Sequence, residues 1–257
     1  MAEGEEVGEE VFEGEVVEAG EKDEAYGEGV PCWVDAQLAD VEAGKRFYGE
    51  LFGWTFEDAY GSSVWALLGG VPVASLAPKM DGRMPTVWTV SFATPDAVAL
   101  GRRITAAGGR LVLDPFPVGD LGVAALAADP EGAVFGLWQA GTHRGFGRRH
   151  RPGSFVWAQL YARDTAVANT FYGGLFHEAL FGEGARPDFG RAEVTEVFPA
   201  EMPPHFLAHF RVDGLDAALG AVQRLGGRVQ APPFDTSYGA VAVVTDNQGA
   251  SFALLQR

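Results

Sequence analysis

The stretch KRFYGELFGW, residues 45–54, returns as NTFYGGLFHE, residues 169–178, with Phe47 and Phe171 standing 124 positions apart. A helix that ends twice in the same way calls for a search for other recurring pieces. PCWVDAQLAD (31–40) is matched by SFVWAQLYARD (154–164), which sets Trp157 against Trp33 and Asp164 against Asp40 at the same offset. TVWTVSFATPDAVALGRRITAAGG (86–109) is matched by HFLAHFRVDGLDAALGAVQRLGG (205–227), and DPEGAVF (129–135) by DNQGASF (246–252). Anchors in fixed order at nearly constant spacing identify an internal duplication. The later anchors lie 117 or 118 positions apart, which places a deletion of about six residues between Leu180 and Pro203, where the second repeat replaces the hairpin of the first.

Each repeat divides again. PCWVDAQL alternates as a strand, with Trp33, Asp35 and Gln37 on one face. Asp40 is placed to cap the helix that follows, and Gly53 to stop it. SVWALLGG and VPVASLAP, separated by Gly69-Gly70, form an expected tight antiparallel pair. A strand, a helix begun at Pro95 and three more strands then complete the repeat. The spacing predicts two strand–helix–strand–strand–strand units per repeat, an α+β chain of four paired βαβββ modules with curved mixed sheets. The expected organisation is an acidic flexible tail (1–30), a first domain (31–140), a basic, glycine-rich linker (141–153) and a second domain (154–257).

Charge follows this division. The 257 residues carry a formal −16, of which residues 1–30 supply −11 through eleven Glu, Asp23 and a single Lys22. Such a run favours solvation and disorder, and opposes nucleic-acid backbones and anionic membranes as partners. The lone Cys32 points to a buried thiol in a reducing compartment. With no long apolar run and no secretory pattern, the cytoplasm is the expected location. In AGTHRGFGRRHRPG (140–153) the basic residues read as linker solubility, and His143 and His150 lack supporting ligands. His177 reads as a local turn residue, and His205, beside Pro203-Pro204, as a surface residue.

The aspartate seven positions ahead of Phe-Tyr, the D-P-x-G turn before a last strand and the module order together resemble the vicinal oxygen chelate superfamily. That superfamily includes glyoxalase I, bleomycin-resistance proteins and extradiol dioxygenases, and the likeness covers roughly residues 31–140 and 154–256. The chain looks closest to a tandem actinobacterial subgroup. The resemblance implies sheets curved around a cleft and a divalent metal held there by His and Glu. Residue by residue, its ligand positions fall on Trp33 and Trp157, on Thr89 and Leu207, and on Gly136 and Ala253. The remaining ligand falls near Val73 to Leu76, or near Arg191 to Val197, where Glu193 and Glu196 occur. Indole, methyl and hydrogen side chains are poor ligands for a divalent ion, so the metal sites are expected to be lost and no cofactor is expected.

If the first-strand position faces the cleft, alternation sends Trp33, Asp35, Gln37, Thr89 and Ser91 inward in one repeat. In the other it sends Trp157, Gln159, Tyr161, Leu207, His209 and Arg211. Phe92, Phe135, Phe210 and Phe252 then face the helices. The tryptophans offer wide apolar surfaces for a planar or apolar ligand. Asp35 is a candidate general base or an arginine partner, and His209 a candidate acid or a satisfied buried histidine. If modules pair across repeats, these two share one cleft. The turn-rich stretches VGDLGVAALAAD and DTSYGAVAVVTD are expected at the cleft rims.

The leading expectation is metal-independent binding of a small apolar or aromatic metabolite, with proton transfer by Asp35 and His209. In relatives this resembles the setting of polyketide-type secondary metabolism. The alternatives are non-catalytic sequestration, as in antibiotic resistance, a scaffold whose acidic tail is the interaction arm, and a metal-dependent lyase or dioxygenase. Duplication supplies internally the interface that single-repeat relatives obtain by dimerising, so a monomer or weak homodimer is expected.

Overall fold

The computed structural model describes residues 26–79, 81–83, 85–194 and 202–257. The chain runs β1 (Pro31–Leu38), α1 (Val41–Phe52), β2 (Thr55–Asp58), β3 (Val64–Leu68), β4 (Val71–Pro78), then β5 (Val87–Ala93), α2 (Ala97–Ala106), β6 (Arg110–Val118), β7 (Gly122–Ala128) and β8 (Val134–Ala140). The second repeat gives β9 (Phe155–Ala162), α3 (Thr165–Leu175), α4 (His177–Phe181) and β10 (Phe189–Glu193). It closes with β11 (His205–Val212), α5 (Leu215–Arg224), β12 (Arg228–Thr236), β13 (Gly239–Thr245) and β14 (Ser251–Gln256).

Two sheets result, ordered β2-β3-β4-β1-β5-β8-β7-β6 and β10-β9-β11-β14-β13-β12. Modules therefore pair within a repeat: β1 lies antiparallel to β5, and β9 antiparallel to β11. In the second repeat the short helix α4 follows α3, and β10 lies parallel to β9 as β4 does to β1. Local chemistry sets the ends of the elements. Asp40 caps α1 by accepting from the Ala43 amide, and Gly53 ends it at φ 72°. Helix α2 is capped by Asp96 rather than begun at Pro95, because the Asp96 carboxylate takes the amides of Val98 and Ala99. Gly69 and Gly70, both at positive φ (61° and 77°), make the mirror-image turn that joins β3 to β4.

One aromatic core spans both repeats. Phe92 of β5 meets Phe135, Phe176, Phe189 and Phe206, while Phe52 meets Phe210 and Phe252. All four phenylalanines expected to face the helices are fully buried there. The recurring Phe-Tyr and Asp-x-x-Gly pieces face each other across the repeats. The Tyr48 hydroxyl donates to Asp246 Oδ2 at 2.8 Å and accepts from Trp88 Nε1 at 3.0 Å. The Tyr172 hydroxyl donates to Asp129 Oδ2 at 3.1 Å. Within each turn, the next residue but one after the aspartate clamps the other repeat's helix start. Gln248 exchanges two bonds with the Asp40 backbone, each 2.8 Å, and Glu131 accepts from the amides of Arg163 and Asp164. The helix ending that opened the sequence reading is thus one half of a reciprocal lock, made twice.

Candidate functional site

The first concave face is built by register. Trp33 lies opposite Ser91, and Asp35 lies opposite Thr89 on one side and Ser75 on the other. Ser75 is also opposite Trp65, and its Oγ accepts from the Trp33 indole at 3.0 Å. Alternation therefore brings Trp33, Asp35, Gln37, Thr89 and Ser91 together, as the sequence indicates, and adds Ser75 and Trp65.

The linker supplies what sequence reading missed. His143 packs its ring 4.4 Å from Trp33, 4.6 Å from Trp65 and 5.5 Å from Trp138, so three indoles enclose one imidazole. Phe146 adds a fourth aromatic group 5.6 Å from Trp33. The backbone fixes this strap: the Trp138 indole donates to the His143 carbonyl, Phe146 N to the Cys32 carbonyl and Gly147 N to the Pro72 carbonyl. Residues read as a solubilising connector thus form a wall of the cleft. The only available signals were Phe146 in a polar run and the nearness of His143 to Trp138 in sequence.

Asp35 is crowded by protein atoms yet keeps some accessible surface, as a group deep in a narrow cleft does. Burial alone raises its carboxyl from 3.8 to about 7. Among the described residues none gives it a hydrogen bond or an ion pair, so the arginine-partner reading finds no support. Burial also pushes His143 down to about 4, and its buried Nε2 has no hydrogen-bond partner among the described residues. The Cys32 thiol is fully buried, donates to the Ser91 carbonyl and is raised by burial.

The second concave face is apolar. Trp157 stands opposite His209, Gln159 opposite Leu207 and Tyr161 opposite His205. Leu207, Val241, Val243, Ala253 and Leu255 are buried around them. Gln159 Oε1 accepts from the Trp157 indole at 3.1 Å, and Tyr238, from the rim between β12 and β13, stacks on Trp157 at 5.5 Å. His209 is 0 % exposed, and burial depresses it to about 4. His205, expected at the surface, is partly buried and stacks on Tyr161 at 5.6 Å, because Tyr161 lies across the strand pair from it. Arg211 is drawn to the linker, its Nη1 donating to the His150 carbonyl at 2.8 Å. Burial raises the Tyr161 hydroxyl to about 12.

Asp35 and His209 lie on different sheets, because modules pair within repeats. The acid–base pair expected from cross-repeat pairing does not form.

Comparison with known proteins settles the family. The sequence pattern of the Glyoxalase/Bleomycin resistance protein/Dioxygenase superfamily matches residues 33–137. Putative glyoxylase CFP32 of Mycobacterium tuberculosis (strain CDC 1551 / Oshkosh) is 35% identical over 250 residues, covering 90% of this chain and 96% of the relative. The chain belongs to this superfamily. Anthracycline biosynthesis protein DnrV of Streptomyces peucetius is 32% identical over 261 residues, covering 90% of this chain and 94% of the relative. Among solved structures, the 2,3-dioxygenase LapB from Pseudomonas sp. KL28 superposes with a TM-score of 0.61 at 14% identity, over 91% of this chain and 94% of that one. The Mn(II)-bound glyoxalase from Novosphingobium aromaticivorans gives 0.58 at 13%, over 88% and 82%. No helix among the described residues is long and apolar enough to cross a membrane.

The residues at the superfamily's metal positions suit an ion poorly. Trp33, Thr89 and Gly136 in one repeat, and Trp157, Leu207 and Ala253 in the other, offer no imidazole or carboxylate. Even an added Cβ at Gly136 would come within 2.1 Å of Ser91 Oγ. On β10, alternation with Gly190 and Ala192, which stand opposite Gln159 and Tyr161, turns Glu193 to the other face. Glu196 lies outside the described residues. Among the described residues, no three His, Cys, Asp or Glu gather as a metal would require.

Proposed function

We propose that the first cleft binds a planar, largely apolar aromatic metabolite of the polyketide type. Asp35 moves a proton on that ligand without a metal. The observation that carries this reading is the Asp35 carboxyl, without a hydrogen-bond or ion-pair partner among the described residues, raised to about 7 and on the same face as the indoles of Trp33 and Trp65. A base poised near neutrality has both the required ionised fraction and enough basicity to take a weakly acidic proton, and such catalysis contributes on the order of 10²–10⁴ in rate. Ser75 Oγ is already an acceptor for Trp33, which leaves its own hydroxyl proton to steady a developing oxyanion. Trp33, Trp65, Trp138 and His143 supply flat surfaces that exclude water and orient a ring. The relatives named for anthracycline biosynthesis support a polycyclic aromatic ligand class.

The test incubates the protein with a panel of tetracyclic phenolic aglycones in D₂O. Mass spectrometry follows products and deuterium uptake, and tryptophan fluorescence follows affinity. Asp35→Asn is expected to lose turnover by roughly 10²–10⁴ while affinity changes little, and a chelator is expected to leave the wild-type rate unchanged. Full turnover by the Asn variant removes Asp35 from the chemistry. A strict requirement for one divalent ion per chain removes the metal-free reading. Tight binding by both proteins with no product from either identifies sequestration.

A further inference from the structure

The second concave face carries an unpaid polar group. His209 Nδ1 lies 3.1 Å from the Leu207 carbonyl, an acceptor, and the ring also has a backbone hydrogen bond with Trp157; with the imidazole proton on Nδ1, Nε2 presents a lone pair. That nitrogen is buried and has no hydrogen-bond partner among the described residues. A fully buried acceptor without a donor is uncommon and costly in a folded protein. Here it faces apolar side chains and two rings.

Those rings form a prepared slot. Trp157 lies flat along β10 because position 190 is glycine; a Cβ there would come within 2.6 Å of the indole. The Trp157 indole nitrogen is pinned by Gln159, whose own amide donates to the Leu160 carbonyl at 3.1 Å. On Trp157 rests Tyr238, tilted by 29°, with its ring centre 6.4 Å from that of His209. Tyr238 comes from the two-residue turn between β12 and β13, and its neighbour Ser237 is exposed.

We infer that this face is a second ligand site, chemically distinct from the first, for a flat aromatic ring bearing one hydroxyl. The ring takes the place of Tyr238 against Trp157, and its hydroxyl donates to His209 Nε2. Tyr238 is the stand-in that covers the slot when no ligand is present. A neutral imidazole acts here as a hydrogen-bond acceptor, and no proton is transferred. The site is on the other sheet from Asp35, so its fate does not depend on the chemistry proposed for the first cleft.

The full chain labelled with 5-fluorotryptophan separates the two clefts by ¹⁹F NMR, with the Trp157 signal assigned by Trp157→Phe. The probes are 2-naphthol and its methyl ether, 2-methoxynaphthalene, which is similar in shape but has no donor. In the wild type, 2-naphthol is expected to shift the Trp157 resonance and to bind there roughly tenfold more tightly than the ether, the effect of one buried hydrogen bond. His209→Leu is expected to abolish that preference, and Tyr238→Ala to tighten 2-naphthol binding by removing the stand-in. A Trp157 signal unmoved by 2-naphthol overturns the site, equal affinity for both probes overturns the role of His209, and weaker binding by Tyr238→Ala overturns the stand-in. If the His209 variant fails to fold, the probe pair and the exposed-turn variant still decide.

Discussion

Replacing Asp35 with Asn should make the protein's pH–stability profile reveal the buried carboxyl directly. Its pKa rises from 3.8 in the unfolded chain to about 7 in the fold, through burial alone. The folded state therefore favours the protonated form, and the contribution of this group is fully present below the unfolded pKa and lost as pH rises through the folded one. The loss spans about pH 4 to 7 at roughly 1.4 kcal/mol per pH unit, about 4 kcal/mol in all. Asparagine does not ionise, so the variant lacks this dependence, while every other titration cancels in the comparison. Urea unfolding of both proteins at unit intervals from pH 4.5 to 8.5 is expected to show the variant gaining on the wild type until pH 7 and then running parallel to it. Asparagine has packing and hydrogen-bond costs of its own, but these shift the whole difference without tilting it. A difference that stays flat across the range would refute the burial argument and remove the physical basis for Asp35 as a base.

The buried histidines should act in the opposite sense. His209 is depressed from 6.5 to about 4, so its stabilising neutral state is present above pH 6.5 and lost as pH falls, by about 3 kcal/mol. NMR titration should show its ring still neutral at pH 5.5, and His209→Leu should flatten the acid limb of the unfolding profile. In the reciprocal lock, Tyr48→Phe removes the partners of Asp246 Oδ2 and the Trp88 indole, whereas Tyr172→Phe removes only that of Asp129 Oδ2; each carboxylate keeps two backbone amides on Oδ1. Urea midpoints should place the first change at roughly 3 kcal/mol and the second at about half that; equal losses would argue against counting orphaned partners.

Much of the scaffold was legible because alternation and capping are local. The strand faces holding Trp33, Asp35, Thr89 and Ser91 follow from a period of two, and the helix limits from Asp40 and Gly53. The four phenylalanines opposite those faces confirm the parity. What failed depends on contacts between distant residues. Whether Asp35 could meet His209 is a matter of which strands pair, and no local pattern records that. The strap carrying His143 has no period, so its basic residues dominated its reading although its aromatic residues decide its place. Trp65 and Trp138 were visible as strand residues, but their convergence on one imidazole needs the register of several strands at once.

Because each repeat holds the other through an exchanged tyrosine, a chain cut near residue 140 would expose the aromatic seam on both pieces. The seam ties the fates of the two copies: a change in one turn must suit a helix encoded more than a hundred codons away. Among the described residues the hollow sides meet no such partner in the other repeat. Released from that constraint, the two have diverged: one is a polar bed beneath indoles and the other an oily recess around a buried imidazole.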